Sequence, residues 1–153
     1  MQASNPATDD IWTARIVAAA LHRGAMIHQL SLAASMIAIL VLICVAAGLF
    51  RLSLGIVWFA ALLIVGAVEF WLAARVRFDA DLFDALARSD GDLAGFDKAM
   101  LALDLMPASK AGRPMAARAQ GAMRLLRWQA AALVAQCALL LIAALVVSAR
   151  ALT

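Results

Sequence analysis

Glu69 is the residue whose setting most invites chemistry. It is the single charge in the apolar run Leu52–Ala74. An ionisable side chain inside such a run serves as a proton or ion relay, a tie between helices, or a contact with a partner. Arg75 follows six positions later, about 9 Å further along a helix axis. Ser31 and Ser35 in the first apolar run, and Gln129 and Gln136 in the third, are expected at a similar depth. Glu69, Ser35, Gln129 and Gln136 are therefore the candidate intramembrane polar site. The expected role of Glu69 is structural: a hydrogen bond or ion pair to Arg124 or Arg127, or a protonated carboxyl. A hydrogen bond between spans contributes only about 0.6 kcal/mol on average. Fold stability thus does not demand this residue, and contact with a partner subunit or lipid headgroup, and proton or ion handling, are the competing readings.

The other reactive residue types offer less. His22 and His28 are six apart and do not share a helix face. They read as interfacial histidines, with a pH-responsive element as the alternative. Cys44 and Cys137 fall inside apolar runs and are expected to be small buried hydrophobes. There is no CxxC or Cys/His cluster, so a zinc or redox site has no ligand set. Asp79, Asp81 and Asp84, with Asp90-Gly91-Asp92, suggest calcium but lack the EF-hand spacing and its terminal Glu. They are expected to be a solvated acidic face and helix caps. The segment Gly112–Gly121 lacks the Gly-Lys-Ser/Thr ending of a phosphate loop. No paired carboxylates, nucleophile–base set or haem-type His pairs stand in plausible register. The chain is expected to be no enzyme and to carry no cofactor. A formal charge of +3, with no basic stripe interleaved with aromatics, argues against a nucleic-acid partner.

The elements that must position these residues are set by hydropathy. Of 153 residues, 66% are hydrophobic and 15% charged, where a soluble domain is about half apolar and about a quarter charged. Three runs hold the apolar residues: Leu30–Phe50, Leu52–Ala74 and Trp128–Ala149. Each matches the roughly 20 residues needed to cross a hydrocarbon core, and none has a polar face at helical spacing. Helix is the default conformation in lipid, because the backbone must satisfy its own hydrogen bonds there. The first run starts behind a long polar lead, and a bulky Ile43 precedes Cys44. It reads as an uncleaved span rather than a signal peptide. Spans one and two are joined by a tight turn around Gly48–Gly55 and form an antiparallel pair.

Orientation follows the distribution of Lys and Arg. Arg15 and Arg23 precede span one. Arg75, Arg77, Arg88, Lys98, Lys110, Arg113, Arg118, Arg124 and Arg127 lie between spans two and three. Two plus nine gives eleven on one side, against Arg51 and Arg150 on the other. This asymmetry places the N-terminus in the cytoplasm and the C-terminus outside. Trp12, Trp71 and Trp128 are expected at the inner interface and Trp58 toward the outer one. Arg far outnumbers Lys and Ala is abundant, a composition that reads as a high-GC bacterial genome and hence an inner membrane.

The expected fold class is an all-α integral membrane protein with three transmembrane helices. A cytoplasmic amphipathic helical hairpin stands between spans two and three. The layout is a single membrane domain: an N-terminal helix over 1–29, spans over 30–50, 52–74 and 128–149, and the helical connection over 75–127. The N-terminal helix is expected to be capped at Thr8 or Asp9, with Trp12, Ile16 and Ala19/Ala20 on one face. The connection breaks at 89–91 and 107–114 into pieces over Asp79–Arg88, Asp92–Met106 and Pro114 onward. The last is expected to continue as one helix to about Arg150. Leu93, Phe96, Met100 and Leu103 are expected to face Met115, Ala119, Ala122/Met123 and Leu126. Asp90, Asp97 and Asp104 then run beside Arg113, Arg124 and Arg127 in solvent. Roughly fifty residues cannot bury a large core alone, so the connection must lean on the membrane, the N-terminal helix or another protein. Phe96, Met100, Arg113 and Arg124 form the candidate docking surface.

The expected function is that of a non-enzymatic accessory or scaffold subunit of a membrane complex, docking a partner through these helices. The partner is another membrane protein or a second copy of the chain. The alternative is a small oligomeric ion or proton channel, or a transporter-like protein, built on Glu69.

Overall fold

The computed structural model describes residues 6–48, 55–89 and 92–151. The expected turn at 49–54, with Arg51, and Asp90-Gly91 of the expected break lie outside the described residues. Among those described, the only regular structure is helical. Five α-helices follow one another: α1 (Pro6–His22), α2 (Gly24–Ala46), α3 (Gly55–Arg88), α4 (Leu93–Ala102) and α5 (Met115–Ala151). A 3₁₀ turn, Ala108–Lys110, lies between α4 and α5. Three stretches are long and apolar enough to cross a membrane: Thr8–Ala46, Ile56–Arg88 and Met115–Ala149.

Their ends have local causes. α1 starts at Pro6, earlier than the cap expected at Thr8 or Asp9; proline suits a first turn because it lacks an N–H that would go unpaired there. Asp9 lies inside the helix and its carbonyl accepts the Thr13 hydroxyl at 2.8 Å. Arg23 is the single turn residue between α1 and α2. α2 gives way to a turn at Ala47-Gly48, where Gly48 takes a φ of 75°, a conformation that costs glycine nothing. α3 does not stop at the end of the expected span: Asp79–Arg88 continues the same helix. Nothing between Ala74 and Asp79 breaks helical propensity. Asp92 caps α4 by accepting the Gly95 N–H at 2.9 Å, so one of the paired aspartates is a cap as expected. α4 ends four residues before the expected Met106. Asp104 adopts a left-handed φ of 57°. The Leu105 N–H reaches the Met100 carbonyl at 3.0 Å and the Asp104 N–H reaches that of Leu101 at 3.1 Å. This is a helix-terminating motif of the Schellman type. Leu103, expected on the apolar stripe, is therefore exposed.

Contacts divide the chain into two compact units, residues 1–23 with 75–126 and residues 24–74 with 127–153. The first unit packs α1, the C-terminal part of α3, α4 and the start of α5 around one core. Ala14, Val17, Ala18 and Leu21 come from α1, Phe83 and Leu86 from α3, and Met115, Ala119 and Ala122 from α5. Leu93 and Phe96 of α4 pack against it. The N-terminal helix is thus what the connection leans on. It does so through the face that carries Ala14 and Ala18, which allow close approach. Trp12 and Ile16 are exposed.

The second unit contains α2, residues 55–74 of α3 and residues 127–151 of α5. Buried positions recur every seven residues as Gly24, Ser31 and Ala38 on α2, and as Gln129, Gln136 and Ala143 on α5. On α3 they step by three and four through Phe59, Leu62, Gly66, Glu69 and Leu72. A 3.5-residue period is that of left-handed helix packing. Rising numbers on α2 meet falling numbers on α3 and rising numbers on α5, so α3 runs antiparallel to the other two. The outward faces stay apolar and uncovered: Met36, Leu40 and Ile43, Val57, Ile64 and Val68, Val134, Leu141 and Leu145 are all exposed. Surface of that extent is what lipid or a protein partner covers.

Candidate functional site

Glu69 sits at the centre of a hydrogen-bonded layer in the second unit. Its side chain is 0% exposed, as is that of Gln129. The Gln129 Nε2 donates to Glu69 Oε1 at 2.9 Å and to the Gly24 carbonyl at 3.0 Å. Two bonds from one nitrogen fix the orientation of the amide. Glu69 Oε2 lies 3.0 Å from His28 Nδ1. The His28 ring packs against Phe70, with centroids 5.6 Å apart and planes inclined by 57°. All three helices of the unit therefore meet at one carboxylate.

A second layer lies two turns further along α2 and α5. Gln136 Nε2 donates to Ser35 Oγ at 3.2 Å. Gly66 of α3 passes against this bond: a Cβ there would stand 2.5 Å from Ser35 Oγ and 2.9 Å from Gln136 Nε2. The glycine is what lets α3 back onto two polar side chains. Beyond it the packing turns wholly apolar, with Ala38, Phe59, Leu62 and Ala143 at the core.

The four residues expected to share a polar site are thus brought into two stacked layers, Glu69 with Gln129 and Ser35 with Gln136. The expected arginine partners are not used. Arg124 and Arg127 are exposed, since Arg127 lies about 200° around the helix from Gln129, and Gln129 takes the inward position. His28 is the participant that sequence reasoning missed. It has no neighbouring ligand in sequence, and its only signal is its placement one turn after Gly24 and seven residues before Ser35. Cys137 is also exposed rather than buried, one residue past the inward-facing Gln136, and Cys44 is half-buried. Among the described residues, no group of three or more His, Cys, Asp or Glu is placed to hold a metal ion.

The first unit holds its own polar centre. Arg118 Nη2 lies 2.9 Å from Asp97 Oδ2 and 2.8 Å from Oδ1, and the Gly112 N–H donates to Oδ2 at 2.7 Å. Arg118 Nε donates to the Arg113 carbonyl at 2.9 Å, and its guanidinium stands 5.6 Å from the Phe96 ring centre. Asp97 and Arg118 were expected in solvent; their side chains are only 12% and 13% exposed. The physical reason is the loop at Gly112, whose left-handed φ of 71° turns its N–H onto the carboxylate. Of the expected docking residues, Met100 is buried, Phe96 half-buried, and Arg113 and Arg124 exposed. His22 Nε2 pairs with Asp84 Oδ2 at 2.8 Å, tying α1 to α3 at a partly exposed position.

No protein-family model, curated protein or solved structure matches this chain. Functional assignment therefore rests on the geometry above.

Proposed function

We propose that this chain is a non-enzymatic accessory or scaffold subunit of a complex in a bacterial inner membrane. Its N-terminus and first unit lie in the cytoplasm, its C-terminus lies outside, and the first unit docks a membrane-protein partner. The observation that carries the reading is the pairing of a self-contained, charged helical unit with three helices whose apolar faces are left uncovered. α3 and α5 each run unbroken from an apolar stretch into a charged one. The eleven-to-two distribution of Lys and Arg supports the orientation. Met100 is used internally, so the docking face consists of exposed groups, with Arg113 and Arg124 supplying positive charge for an acidic partner surface. Charge of this kind sets partner choice more than affinity. Conduction is disfavoured, because the polar layers of the second unit end against the Ala38–Phe59–Leu62–Ala143 layer.

The test is affinity purification from membranes in mild detergent, comparing wild type with the Arg113→Glu/Arg124→Glu double variant. A discrete complex with one stoichiometric membrane partner is expected for wild type, and loss of that partner at normal protein level for the variant. A wild-type chain that purifies alone, or a variant that keeps its partner, would overturn the proposal.

A further inference from the structure

Packing accounts for Gln129 bonding Glu69, but not for the histidine on the other oxygen. His28 Nδ1 and Glu69 Oε2 are 3.0 Å apart, and a contact of that length between two ring or carboxyl heteroatoms holds one proton. Beside the imidazolium–carboxylate ion pair, two states that differ by one proton fit the same heavy-atom positions. In one, a neutral imidazole donates its Nδ1–H to the carboxylate, and the pair carries one negative charge. In the other, the carboxylic acid donates its O–H to a bare Nδ1, the ring proton is on Nε2, and the pair is neutral. Gln129 Nε2 donates to Oε1 in both states, since that oxygen remains an acceptor. Nothing has to move except protons.

Accessibility gives the exchange a direction. The His28 side chain is 25% exposed and that of Glu69 only 1%, so the ring is the outer member of the pair and the carboxyl the inner one. On the other side Gln136 is followed by a layer that is apolar among the described residues, built on Ala38, Phe59, Leu62 and Ala143. The Oε1 atoms of Gln129 and Gln136 are both buried acceptors without a donor among the described protein atoms, places where internal water completes such networks. The groups bonded to the pair or packed on it come from all three helices. α2 contributes His28 and the Gly24 carbonyl, α3 contributes Glu69 beside Phe70, and α5 contributes Gln129. Elsewhere in the unit, Cys44 is 16 residues further along α2, about 24 Å away along the axis. Cys137 and Arg127 are exposed.

We infer that His28 and Glu69 form a proton-binding site inside the bundle, loaded and unloaded through the histidine and closed toward the opposite end. A proton arriving at Nε2 displaces the Nδ1 proton onto Glu69 Oε2; release reverses both transfers, and one proton is gained or lost in all. The site stores a proton and does not conduct one across the chain. It is independent of whether the first unit docks a partner.

Glu69 is the only glutamate in the chain, and His22 is the only other histidine, so each member of the pair can be read alone. The full chain, with ¹³C at the glutamate side-chain carboxyl, is placed in phosphatidylcholine vesicles, and infrared difference spectra are taken across pH. A reversible exchange between carboxylate and carboxylic-acid bands is expected. His28→Gln should shift its midpoint by at least about one pH unit, or tenfold in proton affinity. Glu69→Gln, which carries no labelled carboxyl, supplies the spectral blank that assigns the bands to Glu69. In a His22→Gln chain with ¹⁵N-histidine, NMR should show the proton leaving Nδ1 and appearing on Nε2 over the same pH range; this does not depend on the folding of a His28 variant. A labelled carboxyl that stays in one state, a midpoint indifferent to His28→Gln, or a ring that keeps Nδ1 protonated throughout would overturn the inference.

Discussion

At the residue scale, the cost of burying a charge decides where each ionisable group ends. Glu69 is tolerated in an apolar helix because Gln129 and His28 supply donors to both oxygens; without them a desolvated carboxylate is expensive. Asp79 is a milder case. It lies half-buried in the first unit, beside a groove lined by Leu82, Phe83 and Phe96. Desolvation raises its carboxyl above the ordinary value of 3.8, and Arg75 partly offsets that. A raised folded-state value means that its contribution is fully present below 3.8 and is lost as pH rises through the raised value. Asp79→Asn should therefore raise the thermal midpoint relative to wild type at neutral pH, with the gain vanishing below 3.8. Melting curves in detergent at the two pH values check this. An equal gain at both would mean that burial of the charge is not the cause.

At the element scale, the contact between α4 and α5 includes a buried ion pair beside its apolar stripe. Asp97 takes Arg118 and the Gly112 N–H together, so one carboxylate joins α4, α5 and the loop between them. Removing one partner leaves the other charge buried, and Asp97→Asn should cost about 3 kcal/mol. Replacing both, as Asp97→Leu/Arg118→Met, should recover most of that loss, because well-packed apolar pairs often match buried ion pairs. Unfolding followed by tryptophan fluorescence or chemical denaturation can rank the variants. A double variant no better than the single one would show that the Gly112 contact, rather than the charge pair, holds the loop. The same scale explains why the piece expected over Asp79–Arg88 is continuous with the span before it: helix propensity continues unopposed until the turn at Ser89.

At the scale of the whole molecule, uncovered apolar surface and charge asymmetry are the two features on which the proposed topology rests. A reporter active only in the cytoplasm should work when fused after Ser109 and fail when fused after Thr153. Activity at both positions, or the reverse pattern, would remove the three-span, N-in arrangement and with it the cytoplasmic docking unit. The spans carry their polar residues inward and their leucines and valines outward. This is the inverse of a soluble bundle and follows from the absence of water around them.

Hydropathy determined the class of this protein without any structure. Three apolar runs of sufficient length, the continuous helix from about Pro114, the cap at Asp92 and the depth of Glu69 relative to Gln129 could all be read from residue order. Each depends on local propensity or on distance along one helix. Tertiary structure decided what requires two elements at once. The exposed assignment of Asp97 and Arg118 failed because a single glycine turn at 112 carries the loop N–H onto the carboxylate. Which face of α1 packs was decided by two alanines, Ala14 and Ala18, that come closer to the neighbouring helices than Trp12 and Ile16 could. His28 could not be paired with Glu69 in advance, since 41 residues separate them, and only the antiparallel register of α2 and α3 brings the imidazole to the carboxylate.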